Sequence, residues 1–247
     1  MAMRDLKKST FVGAKRGSGV WQRIISEMPP HTVYAEPFAG TGHIGHTKKS
    51  ALKNYFIDID PAAPVFKAMC PDKRYHAYIV GDGAQWILSH KTTMTADWLL
   101  YVDPPYLSDV RSCKKDYYKH EFKTNFQHWY LLSSLLTVPA KVMISGYDSP
   151  LYDRILKGWR KIYIPTVKRS GARSIEVVWM NFPEGIAFHD VRFLGKNYRE
   201  RERIKRKKNR WVGRLKKMDR IDKAVLIDAL GDMINKNPDD LPGSVTS

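Results

Sequence analysis

Cysteine is almost missing from this chain. Cys70 and Cys113 are the only two in 247 residues, and neither falls in a CxxC or metal-ligand spacing. A disulfide framework and a zinc cluster are therefore excluded as the basis of the fold. No run of about 18 apolar residues occurs, so no membrane-spanning helix is expected. The opening stretch MAMRDLKKST has no hydrophobic signal region, and a cytoplasmic protein is the expectation. The eight histidines are scattered and form no ligand pattern, so no metal is expected. Acids are the third scarcity. Only 25 Asp and Glu face 42 Lys and Arg, a formal net charge of +17, which favours a polyanionic partner such as nucleic acid. The apolar and aromatic fractions are ordinary, and the length suits one α/β domain with a core plus an appendage.

What is present is rhythmic. TVYAEP (32–37), NYFIDI (54–59), YHAYIVG (75–81) and DWLLYVD (97–103) read as strands. GHIGHTKKSALK and DPAAPVFKAM between them have helical character, and NFQHWYLLSSLL (125–136) has helical apolar spacing. AKVMISGY, RKIYIPTV and SIEVVWMNF follow as strands, the last two close enough to pair antiparallel. The alternation predicts an α/β fold with a doubly wound, mostly parallel sheet. Beyond Pro183 the composition changes: Arg192–Lys217 holds 13 Lys or Arg against 2 Glu. Such a run is either a solvated tail or a helix whose stripe of Ile204, Trp211, Leu215 and Met218 docks on a body. The expected organisation is residues 1–185 as the α/β domain, 186–234 as a basic helical extension and 235–247 as a disordered tail.

Three turns carry chemistry. LLYVDPPYLSD (99–109) is a buried strand halted by two prolines, which lack a donor and fix φ. It holds Asp103 and Tyr106 at the carboxyl end of a strand, where open α/β sheets bind ligands. Taken alone, it also reads as an ordinary strand exit with a solvated acid. YAEPFAGTGHIG follows the first strand, and Gly40 and Gly42 allow a tight turn with close ligand approach. It matches neither the P-loop nor the GxGxxG pattern. Asp58, at the end of the second strand, suits a ribose diol, although Asp58 and Asp60 could also cap the helix near Pro61.

In this order the segments resemble the D12, or Dam-like, class of S-adenosylmethionine-dependent DNA adenine N6-methyltransferases, in the subgroup borne by phages and prophages. GAKRGSGVWQRIISEMPPHTVYAEPFAGTG resembles that class's lysine and cofactor motifs, and YVDPPYLSDVRSCKKDYYKHEF its catalytic segment. VMISGYDSPLYDRIL, EVVWMNF and NYRERERIKRKKNRW resemble the post-catalytic segment, the closing strand and a basic extension. The resemblance implies a Rossmann-like methyltransferase sheet and S-adenosyl-L-methionine as cofactor. Lys15, Glu36, Phe38, Gly40, Gly42, Asp58 and Asp82 are the implied cofactor residues, with Asp58 on the ribose and Asp82 at the adenine amine. Arg16 departs from the family, which has Gly at that place.

Asp103, Pro104, Pro105 and Tyr106 are the implied catalytic turn. The Asp103 carboxylate and the Pro104 carbonyl would hold the two hydrogens of a flipped adenine's N6, and Tyr106 would stack on its face. Only 42 residues separate Asp60 from Asp103, too few for a target-recognition insert. Double-stranded DNA is then expected to be read by the loop 107–124, through Arg111, Lys114, Lys115 and Lys119. The extension would contribute Arg199, Arg201, Arg203, Lys205, Arg206, Lys207, Lys208 and Arg210. RNA adenine methylation, cytosine N4 methylation and an inactive nucleic-acid binder on the same fold stay open as alternatives. The oligomeric state is not legible.

Overall fold

A computed structural model describes residues 19–67, 76–107, 122, 124–167, 171–185 and 187–236. They divide into two compact units, 19–21 with 31–182 and 22–30 with 183–236. The first unit holds strands β1 (Val33–Glu36), β2 (Lys53–Asp58), β3 (His76–Val80), β4 (Trp98–Val102), β5 (Lys141–Gly146), β6 (Arg160–Val167) and β7 (Arg173–Met180). Between them run α2 (His43–Thr47), α3 (Pro64–Lys67), α4 (Gly83–His90), α5 (Asn125–Leu135) and α6 (Pro150–Ile155). Helix α1 (Val20–Ser26) precedes β1.

The strands form one seven-stranded sheet in the order β3-β2-β1-β4-β5-β7-β6. β1 pairs in parallel with β2 and β4, β2 with β3, and β4 with β5. The chain thus winds outward from β1 to β3 and restarts on the other side with β4. That reversal makes the β1–β4 boundary the switch point, where successive loops diverge and leave a crevice. β7 enters between β5 and β6 and is antiparallel to both. The sheet is the mostly parallel α/β sheet with an antiparallel closing strand that the alternation predicts.

A strand buried on both faces needs an unbroken apolar run. β4 meets this need, since Leu99, Leu100, Tyr101 and Val102 are all fully buried. Each fully buried side chain of this kind contributes about 1.5–3 kcal/mol. The core around them gathers Ala35, Ile57, Ile87, Leu131, Val142, Ile144 and Trp179. α5 starts where its capping box dictates. Thr124 Oγ1 accepts from the Gln127 N–H at 3.1 Å, and Gln127 Oε1 accepts from the Thr124 N–H at 3.0 Å. His128 on this helix is a core histidine, bonded to Tyr152 Oη at 2.8 Å and the Phe122 carbonyl at 3.0 Å.

The second unit carries a short 3-10 helix (Val191–Phe193), α7 (Tyr198–Lys217) and α8 (Arg220–Lys236). Asn197 caps α7 by accepting from the Glu200 N–H at 2.9 Å. The basic run is therefore helical, and its apolar stripe is unevenly covered: Ile204 and Met218 are half-buried, while Trp211 is 54% exposed and Leu215 37%. Arg214 lies over the Trp211 ring at 5.3 Å, partly covering it from its own helix. Among the described residues no helix is long and apolar enough to cross a membrane, and no group of His, Cys, Asp and Glu could hold a metal.

Candidate active site

The two prolines do at the end of β4 what their chemistry requires: the ladder stops at Val102, and Asp103 and Tyr106 stand at the carboxyl edge of the sheet. Asp103 is half-buried and Pro104 buried. Asp103 Oδ1 accepts from Ser145 Oγ at 2.9 Å and faces Tyr106 Oη at 3.3 Å. Tyr101 Oη lies 3.0 Å from Ser145 Oγ. A serine hydroxyl has one hydrogen, so a Ser145 that donates to Asp103 accepts from Tyr101. The result is a polarised line, Tyr101 to Ser145 to Asp103, fixed by β4 and β5 lying side by side.

Tyr106 is held from two further directions. Its hydroxyl donates to Glu176 on β7, and its ring meets Tyr147 edge to face at 4.7 Å between centroids. Burial, then the Asp103 and Glu176 charges, pushes its phenol well above the ordinary value, so it stays protonated. Burial and Asp103 do the same to Tyr101. Ser145, Tyr147 and Glu176 escaped the sequence reading. Each had one faint signal: a hydroxyl or carboxylate placed within an otherwise apolar strand, or an aromatic at its exit.

The glycine turn lies across the switch point, on the β1 side. Gly40 and Gly42 have φ of 51° and 60°, the left-handed region that favours glycine. At Gly42 a Cβ would stand 2.6 Å from Val65 Cγ2, so the turn closes against α3 only without a side chain. The Gly40 N–H donates to Asp58 Oδ2 at 2.7 Å, and the Asp60 N–H to Asp58 Oδ1 at 3.0 Å. Asp58 thus ties the first turn to the exit of β2, while Asp60 accepts from the Ala62 N–H at 2.9 Å and shapes the next turn. Asp82 caps α4, with Oδ1 accepting from the Gln85 N–H at 2.9 Å. Gly83 beside it is also forced: a Cβ there would come within 2.0 Å of the Pro37 carbonyl oxygen. That close approach brings the exit of β3 against the glycine turn. Phe38 packs edge to face on Phe122 at 5.8 Å.

Glu36 stands differently from its companions. It is 3% exposed, and one oxygen, Oε2, accepts both from Tyr34 Oη at 2.9 Å and from the Gly45 N–H at 3.1 Å. Burial pushes its carboxyl up to about 8, against the lowering effect of those two donors. It braces the start of α2 from within.

Phe38, Gly40, Gly42, Asp58, Asp82 and the DPPY turn therefore share the carboxyl edge of one sheet around the β1–β4 crevice. Lys15, Arg111, Lys114, Lys115 and Lys119 lie outside the described residues. Arg199, Arg201, Arg203, Lys205, Arg206, Lys207, Lys208 and Arg210 all lie on α7, and all but the half-buried Arg201 are exposed. Arg203, Arg206, Asn209 and Arg210 line one shallow depression on that helix.

No family model and no curated protein matches the chain. Solved structures resemble it at a distance. Magnesium protoporphyrin IX methyltransferase from Synechocystis PCC 6803, which has bound SAM, is 14% identical with a TM-score of 0.41, over 66% of this chain and 76% of that one. The SAM-dependent methyltransferase from Agrobacterium tumefaciens is 12% identical with a TM-score of 0.39, over 64% and 59%. A Streptococcus mutans protein provisionally assigned to the SAM-dependent methyltransferases is 14% identical with a TM-score of 0.42 over 65% of this chain. The match spans about half of that protein, 47% of its length.

Proposed function

We propose that this chain transfers a methyl group from S-adenosylmethionine to the exocyclic N6 of adenine in duplex DNA. The observation that carries the reading is Asp103. It stands at the carboxyl edge of the sheet, oriented by Ser145, one residue before a buried proline and three before a tyrosine. That is a site for an amine on a flat ring.

The donor chemistry around the crevice fits the cofactor. Asp82 spends Oδ1 on its helix cap and has Oδ2 to offer an amino group. Asp58 sits at the end of β2, where it would meet the ribose hydroxyls, and the left-handed Gly40–Gly42 turn brings backbone close to the methionine half. The cofactor supplies an electrophilic methyl on a sulfonium. Glu36 supports this turn from inside.

An aniline-like N6 is a poor nucleophile because its lone pair is delocalised. The Asp103 carboxylate would accept one N6 hydrogen and the Pro104 carbonyl the other, which pyramidalises the nitrogen and directs its lone pair outward. With the methyl supplied by the bound cofactor, the surplus N6 proton would leave toward Asp103 and solvent. Positioning and fixed dipoles supply the acceleration, with no strong general base. A duplex base must be flipped to reach this edge, and the Tyr106 ring would receive its face. The exposed cations of α7 are suited to phosphates, which position DNA without reading it.

The test incubates the protein with unmodified duplex DNA, and separately with structured RNA, in labelled S-adenosylmethionine, and identifies the methylated nucleoside. N6-methyladenine on DNA that disappears in Asp103→Ala supports the reading. Product on RNA alone, or N4-methylcytosine, overturns it.

A further inference from the structure

β7 lies between β5 and β6, and its residues Val177, Val178, Trp179 and Met180 are fully or almost fully buried. Glu176 begins that run and is itself only 5% exposed. A carboxylate is costly in such a place unless it is held by hydrogen bonds. One bond it makes reaches into the site: its Oε1 accepts the hydroxyl hydrogen of Tyr106.

The position of that hydroxyl matters because two acids flank it. Tyr106 Oη also stands 3.3 Å from Asp103 Oδ1. A phenol has a single hydrogen, so a bond given to Glu176 is withheld from Asp103. Asp103 Oδ1 already accepts from Ser145 at 2.9 Å. A second strong donor on the same oxygen would compete with an incoming amine. The bond to Glu176 has a mechanical consequence as well. Two points, the hydroxyl on Glu176 and the ring edge against Tyr147 at 4.7 Å, fix the plane of the Tyr106 ring. A stacking surface is useful only if its plane is set before the base arrives.

We propose that Glu176 is a positioning residue of the methyl-transfer site: it takes the Tyr106 hydroxyl hydrogen, setting the ring plane and keeping Asp103 available to the amine of the target base. The inference rests on the proposed function, in which Asp103 and Tyr106 receive that base. Glu176 makes no contact with the substrate in this scheme and acts on it through the tyrosine.

The experiment is a double-mutant cycle on the full-length protein, with kcat on duplex DNA and the cofactor Kd measured for each variant. Glu176→Ala should lower kcat ten- to hundredfold with an unchanged cofactor Kd. Glu176→Gln retains an acceptor and should stay within about threefold of wild type. In a Tyr106→Phe background the hydroxyl is gone, so adding Glu176→Ala should cost nothing further. A residue that merely supports the fold would lower activity equally in both backgrounds. Should Glu176→Ala fail to fold, Glu176→Leu fills the volume without an acceptor and replaces it in the cycle. An active wild type with an insensitive Glu176→Ala, or equal losses in both backgrounds, overturns the role alone. A wild type that methylates no adenine overturns the underlying reading, and this role with it.

Discussion

The Gly40 N–H and the Asp58 carboxylate meet at 2.7 Å, joining the turn after β1 to the end of β2. Asp58 also accepts from its own next turn at Asp60. One side chain therefore shapes two loops at the carboxyl edge of the sheet. Hydrogen bonds to a charged group contribute about 1.5–3 kcal/mol each. Asp58→Ala should weaken S-adenosylmethionine binding at least tenfold in calorimetric titration and lower stability by about 1–3 kcal/mol. Asp58→Asn, which keeps one acceptor oxygen, should fall between the two.

Gly42 and Gly213 make opposite predictions. At Gly42, φ is 60° and a Cβ would meet Val65 Cγ2 at 2.6 Å. Gly42→Ala should cost roughly 1–3 kcal/mol in strain, a loss of several degrees in melting temperature for a chain of this size. Gly213 sits inside α7, and a methyl group added there would meet no other atom within 4 Å. Gly213→Ala should stabilise its helix by about 1 kcal/mol. Thermal unfolding of the two variants beside wild type checks both.

Glu36 predicts a pH dependence. Its folded carboxyl sits at about 8, above the ordinary 4.5. Between those values the native state binds a proton that the unfolded state has released, so this group's contribution to stability falls as pH rises. Glu36→Gln keeps an acceptor for Tyr34 and Gly45 but cannot ionise. The stability of wild type relative to Glu36→Gln should decline across about pH 5–8 and level off above. Urea unfolding midpoints at a series of pH values measure the difference, and a flat difference refutes the assignment.

α7 predicts a salt effect. Arg203, Arg206 and Arg210 share one depression on its surface. If all three neutralise phosphates, replacing them with Ala should reduce the salt slope of log K for duplex DNA by about 3, with affinity lost uniformly across sequences. Fluorescence anisotropy at several salt concentrations gives the slope. An unchanged slope removes these residues from the interface.

The parallel half of this fold was legible because its physics is local. β4 was expected within 97–103 and spans Trp98–Val102, since an apolar run followed by Asp-Pro-Pro has one reading. α5 was expected from residue 125 and starts there, set by its capping box. The glycine turn and DPPY were legible for the same reason, as each is specified by neighbours in sequence. What the sequence did not disclose is the contact between distant parts. Ser145 and Glu176 lie 42 and 70 residues beyond the side chains they hold, Asp103 and Tyr106. No local pattern sets such a pairing; strand order does. The stripe on α7 shows the same limit. Helical spacing of Ile204, Trp211 and Leu215 specifies a face but not a partner, and along it Ile204 is half-buried while Trp211 is 54% exposed.

The placement of β7 between β5 and β6 has a consequence for how the protein comes into being. β5 and β6 precede β7 in the chain yet pair with it rather than with each other. During synthesis β6 has no place in the sheet until the last strand emerges and threads the gap, a non-local closure of the kind that folds slowly. Glu176 arrives with that strand, which ends at Met180. The tyrosine of the DPPY turn is clamped only once that whole length has left the ribosome, so the last two strands of the sheet and the anchoring of Tyr106 fall into place together.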